Sequence, residues 1–143
     1  KYIFTRQDAI GFVNQMNAEV PNAERTNRWD LIILDPPTFS NSKRTDTTLD
    51  ITRDWPPLVA KCMNLLNEKG TLYFSTNSRR LSFDESLLKD KVSFAYSISD
   101  ITEQTIPEDY RNSKIHRCWK ITRGGRFQAR LLFRKFLAQR IEI

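Results

Sequence analysis

The residues best suited to chemistry lie in one short stretch, Leu31-Ile32-Ile33-Leu34-Asp35-Pro36-Pro37-Thr38-Phe39. An aliphatic run that ends in Asp35 delivers a carboxylate to the rim of a sheet. Pro36 and Pro37 then hold the following turn nearly rigid, because each ring fixes its own φ. A fixed carboxylate beside an aromatic side chain suits the gripping of a planar ring, since its oxygens accept from ring N–H groups while Phe39 stacks on the face. The same residues also make an ordinary strand-exit turn in which Asp35 caps the next segment and Phe39 packs against a loop. Other reactive types are sparse. His116 is the single histidine; it could exchange a proton, but beside Trp119 on a strand it reads as structural. Cys118 could serve as a nucleophile only if it reached the site, and on a buried strand it reads as a small apolar filler. Cys62 and Cys118 form no CxxC pair, so neither a metal centre nor a disulfide framework is expected.

Elements that could position these residues follow from periodicity. Tyr2 to Phe4 reads as a short strand. Asp8 can cap a helix that carries Ile10, Val13 and Met16 and ends before Pro21. Asp30 to Leu34 is a continuous apolar run, the pattern of a strand buried on both faces of a parallel sheet, and Asp35-Pro36-Pro37 stops it. Thr38 to Thr48 is polar and reads as a loop. A helix should follow with Leu58, Cys62, Leu65 and Leu66 on one face, Pro56 and Pro57 in its first turn, and Lys69-Gly70 as its stop. Strands are expected at Thr71 to Ser75, Phe94 to Ile98 and Cys118 to Thr122, with a short helix at Asp84 to Leu88. Strand, helix, buried strand, helix, strand is the rhythm of an open α/β sheet. Ligands in such sheets sit beyond the carboxyl ends of the strands, so Asp8, Asp35 and Ser75 to Asn77 should share one rim.

Composition narrows the partners. The chain has 143 residues, room for one compact domain, with 23 Lys and Arg against 17 Asp and Glu and a net charge of +6. A basic surface favours polyanions without requiring them. No apolar run approaches the roughly 20 residues needed to span a bilayer, and the N-terminus lacks the features of a signal peptide, so a reducing cytoplasm is the default. Arg126 to Arg140 reads as a basic amphipathic helix after Gly124-Gly125. It suits an RNA-binding extension, a helix that pairs two copies, or an appended sequence.

The linked motifs carry a resemblance. Asp35-Pro36-Pro37-Thr38-Phe39-Ser40-Asn41-Ser42-Lys43-Arg44 is similar to motif IV of class I methyltransferases, in the form carried by the 23S ribosomal RNA large-subunit methyltransferases of the K/L type. Asp50 to Asp54, Gly70 to Arg80, Ile106 to Asn112 and Ile115 to Trp119 resemble later segments of that family, in order. The resemblance covers about Tyr2 to Thr122, which divides the chain into a catalytic portion, 1–122, and a basic tail, 123–143. It implies S-adenosyl-L-methionine as cofactor, 23S ribosomal RNA as partner and guanine N7 as acceptor. It also implies a partial Rossmann-like α/β fold, a mostly parallel sheet with a C-terminal antiparallel hairpin. The family's glycine-rich cofactor loop and ribose-binding acid have no counterpart among the four glycines at 11, 70, 124 and 125. The first two strands are therefore expected to be missing, and the chain alone to be inactive.

By the same resemblance Asp8 contacts the cofactor's adenine amino group, and this is compatible with capping a helix. Asp35, Pro36 and Pro37 bound the methyl-transfer site, where Asp35 also neighbours the cofactor, and Phe39 stacks on the base. Lys43, Arg44, Arg79, Arg80 and Arg111 suit phosphate contacts, or are ordinary solvated surface. Ser75-Thr76-Asn77 stands where C5-cytosine methyltransferases carry a cysteine, which argues against covalent pyrimidine chemistry. Three alternatives stay open: methylation of an exocyclic amine (guanine N2 or adenine N6), a noncatalytic RNA-binding module, and a protein or small-molecule methyltransferase.

Overall fold

The computed structural model describes residues 3–18, 28–41, 48–109 and 115–124. In chain order the elements are α1 (Ala9–Ala18), β1 (Trp29–Leu34), β2 (Phe39–Asn41), β3 (Thr48–Asp50), α2 (Ile51–Asn64), β4 (Leu66–Thr76), α3 (Ser86–Lys89), β5 (Tyr96–Asp100), a 3-10 turn (Thr102–Thr105) and β6 (Arg117–Arg123). The main sheet has the order β1-β4-β6-β5. β4 runs parallel to β1, and β6 is antiparallel to both β4 and β5. The parallel pair with its α2 crossover, followed by the antiparallel end, makes this a partial Rossmann-like α/β fold.

The helices cover one face of the sheet. α2 turns Ile51, Trp55, Leu58, Val59, Cys62 and Met63 inward, the spacing of one helical face. They meet Leu72 and Phe74 of β4 and Trp119 and Ile121 of β6, every one of them buried. Trp55 and Trp119 both stack on Phe83, each with ring centroids 4.5 Å apart, and Phe74 lies 5.6 Å from Trp119. Rings that overlap in this way add attraction beyond the burial of their area.

The ends of α2 differ from expectation. The helix starts earlier, at Ile51, because the Asp50 side chain accepts from the Thr52 amide at 3.0 Å and caps it. Pro56 and Pro57 consequently fall inside the helix rather than in its first turn. Their missing N–H groups remove two intrahelical bonds, a cost offset by the burial of Trp55, Pro56 and Leu58 on the sheet. The helix also ends earlier, and Leu66 opens β4. Lys69-Gly70 is an irregular strand segment, with Lys69 at φ 64° and a register shift opposite Trp29 to Leu31. Gly70 is required there because a Cβ would lie 2.9 Å from the Asn67 carbonyl oxygen and 3.0 Å from that of Trp29.

Three further expectations need correction. β1 is buried on one face only: Ile32 and Leu34 pack toward the core, whereas Leu31 and Ile33 are 54% and 71% exposed. β1 lies at the edge of the described sheet, and the described helices cover only the opposite face. Ile3 and Phe4 form no strand and stand exposed, since no described strand pairs with them. The segment read as a loop from Thr38 to Thr48 instead begins and ends in a small hairpin, Phe39↔Asp50 to Asn41↔Thr48. At the far end of the sheet β6 continues through Arg123. The Arg123 guanidinium donates to the Leu66 carbonyl at 2.8 Å and lies 4.0 Å over the Phe94 ring.

Candidate active site

Asp35 follows directly on β1, and Ser75 is the penultimate residue of β4. The parallel register ends at Leu34↔Phe74, so the next residue of each strand meets the other at the carboxyl ends. The Ser75 hydroxyl donates to Asp35 Oδ1 at 2.7 Å. Asp8 stands just before α1 and caps it, its Oδ2 accepting from the Gly11 amide at 2.7 Å. That bond occupies one carboxylate oxygen, so capping leaves the other able to accept from a ligand.

The turn after Asp35 borders two cavities. The first, about 400 Å³, is lined by Asp8, Ile10, Val13, Leu34, Asp35 and Pro36, with Pro37 and Leu58 among its other walls. Its lining is apolar except for the two carboxylates and Ser40. The second, about 360 Å³, is lined by Thr38, Phe39, Asp50, Asn77, Arg79 and Arg80. Phe39 is 57% exposed on β2, so its ring is available to a partner. Beyond β4 the chain is held by Thr76, which is fully buried and whose hydroxyl accepts from the Ser78 amide at 3.1 Å.

Asp8, Asp35, Pro36 and Pro37 thus share the first cavity, and Phe39, Arg79 and Arg80 share the second. Lys43, Arg44 and Arg111 lie outside the described residues, as does the basic tail from residue 125 onward. His116 precedes β6 and places Nε2 3.1 Å from the Thr105 hydroxyl. Cys118 is buried, and burial first of all pushes its thiol up; the Asp100 and Asp35 carboxylates add to the rise, while a hydrogen bond with Thr105 opposes it. A protonated, buried thiol is a poor nucleophile. Ser75 is the residue that sequence reasoning named only as part of a rim segment. Its partnership with Asp35 is encoded in strand register, which periodicity does not report.

Among the described residues no helix is long and apolar enough to cross a membrane, and no cluster of His, Cys, Asp and Glu could hold a metal ion.

Comparison with known proteins gives one consistent direction. No family model matches the chain. Over 94 residues, 66% of this chain, it is 50% identical to ribosomal RNA large subunit methyltransferase K of Neisseria meningitidis serogroup B. It is 51% identical over 94 residues to ribosomal RNA large subunit methyltransferase K/L of Saccharophagus degradans, and 54% identical over 95 residues to the K/L protein of Legionella pneumophila. The chain spans only 25%, 12% and 13% of those relatives' lengths. Among solved structures it is similar to SMU.776, a candidate methyltransferase crystallised with SAH, with a TM-score of 0.53 and 18% identity over 81% of this chain and 30% of that one. At that identity the likeness establishes a shared fold.

Proposed function

We propose that this chain is the acceptor-facing portion of a ribosomal RNA methyltransferase that uses S-adenosyl-L-methionine, with guanine N7 of the large-subunit RNA as the methylated atom. One observation carries the reading: the contiguous residues Asp35 to Phe39 line both cavities, one apolar and carboxylate-tipped, the other aromatic and arginine-bearing. A group-transfer enzyme needs its two substrates side by side with their reacting atoms in contact, and a rigid turn that borders two neighbouring cavities suits that. Relatives named for ribosomal RNA methylation, about half identical over two thirds of the chain, supply the substrate class.

The first cavity fits the nucleoside end of such a cofactor. Its apolar walls, Ile10, Val13, Leu34 and Pro36 among them, suit the faces of a purine. Asp8 keeps one oxygen for an exocyclic amine. When bound, the cofactor supplies an electrophilic methyl group on a sulfonium. Everything else falls to the chain. Asp35 accepts from the imino or amino N–H of the base and fixes its rotation. Pro36 and Pro37 keep the main chain that carries the carboxylate from drifting, because misplacement by about 1 Å can cost a hundredfold in rate. Phe39 stacks on the base, and Arg79 and Arg80 receive the flanking phosphates. Guanine N7 already presents its lone pair, so no general base is needed and His116 and Cys118 have no step to perform. Residues 1–122 hold this machinery, and the basic residues after Gly125 add to the affinity for RNA.

The test uses the full-length protein and unmodified large-subunit ribosomal RNA. The wild type should transfer one labelled methyl group, and reduction followed by aniline should cleave the RNA at that nucleotide, as it does at N7-methylguanosine. Asp35→Ala should lower kcat by at least about a hundredfold while leaving the melting temperature in place. Wild-type turnover in that variant would remove Asp35 from the site. Methylation without aniline cleavage would move the acceptor to an exocyclic amine.

A further inference from the structure

We propose that Ser75 is a positioning residue that sets the direction in which Asp35 presents its free oxygen. The inference rests on the reading of Asp35 as the carboxylate that orients the base. Pro36 and Pro37 fix the main chain on one side of Asp35, but they do not fix its side chain. Asp35 is exposed and lies one residue past the last paired position of β1, where the two side-chain torsions of a lone aspartate sample several rotamers. The Ser75 hydroxyl removes that freedom by donating to Oδ1 at 2.7 Å, the short distance of a charge-assisted bond. With Oδ1 occupied, Oδ2 is the oxygen left to accept from a ligand.

The donor is itself immobile, which is what makes it useful. β4 is an interior strand, paired with β1 on one side and with β6 on the other, where Ser75 faces Cys118. The next residue, Thr76, is fully buried and is closed into a turn with Ser78. A hydroxyl is also the right donor chemically. It orients the carboxylate without cancelling its charge, as a lysine or arginine would, and it is short enough to fit between adjacent strands. The sheet thereby transmits its rigidity to a side chain that lies just outside it.

The experiment compares Ser75→Ala and Ser75→Thr in the full-length protein on ribosomal RNA, with Asp35→Ala as reference. Ser75→Ala should lower kcat about tenfold, the worth of one hydrogen bond to a charged group, with KM for S-adenosyl-L-methionine and the melting temperature unchanged. Ser75→Thr, which keeps the hydroxyl, should recover most of that loss. Wild-type kcat in Ser75→Ala beside an inactive Asp35→Ala overturns the positioning role and leaves the reading of Asp35 standing. A loss that threonine does not rescue, or one accompanied by a lower melting temperature, marks Ser75 as structural and also overturns the proposal. Full activity in Asp35→Ala sinks both readings together.

Discussion

The two sides of β4 along its length make different demands on sequence. Toward α2, the strand contributes Leu72 and Phe74 to a core in which Trp55, Phe83 and Trp119 stack on one another. At its carboxyl end, in the residue after Phe74, it offers Ser75 to an exposed carboxylate. The core is held by many contacts, none individually decisive. The rim is held by few, each with a specific partner. Stability and site geometry are therefore separable in this molecule: a residue can be central to one and irrelevant to the other.

The comparison can be broken most forcefully from the core. Trp55→Ala should cost about 3–5 kcal/mol, the usual toll for truncating a large buried aromatic, because the indole is 1% exposed and packs on both Phe74 and Phe83. Urea unfolding would read it, and methyl transfer should fall only in proportion to the folded fraction. A site defect beyond that fraction would mean that core and rim are coupled.

A cut at the rim should do the converse. Phe39→Ala should leave unfolding unchanged, since the ring is 57% exposed. RNA affinity should weaken by about 1–3 kcal/mol, the worth of one base–aromatic stack, as filter binding would measure. Unchanged RNA affinity would return Phe39 to ordinary loop packing.

The smallest effect sharpens the distinction through pH. Burial pushes the Cys62 thiol up from 9.0 to about 12. Above pH 9 the unfolded chain loses this proton while the native chain keeps it. The stability is thus complete below pH 9.0 and is lost progressively as pH rises toward 12. At pH 10 the difference amounts to about 1.4 kcal/mol. Urea midpoints should fall more steeply between pH 9 and 10 in the wild type than in Cys62→Ala. Parallel profiles would show that Cys62 titrates normally.

Much of this was legible in the chain itself. The aliphatic run ending at Asp35 defined β1 because a covered strand needs apolar residues and two prolines cannot extend a ladder. Asp8 announced the start of α1, since a short carboxylate before helical spacing is a cap. The linked motifs around Asp35 pointed to the family of relatives found at about 50% identity. The boundaries of α2 were not legible. Two prolines argue locally for a helix start, and the Asp50 cap together with the packing of Trp55 and Leu58 against the sheet outweighs them.

What sequence determined by itself was the identity of the chemical groups and, apart from the hairpin that carries Phe39, the main strands and helices that hold them, because both follow from local composition and periodicity. What only the tertiary structure decided was which groups meet. Asp35 and Ser75 are separated by a helix and a hairpin in the chain and by 2.7 Å in space. Their contact depends on the register Leu34↔Phe74, a pairing between strands far apart in the chain. Likewise, Leu31 and Ile33 carry the same apolar pattern as Ile32 and Leu34, and only the layer of helices on one side distinguishes the exposed pair from the covered one.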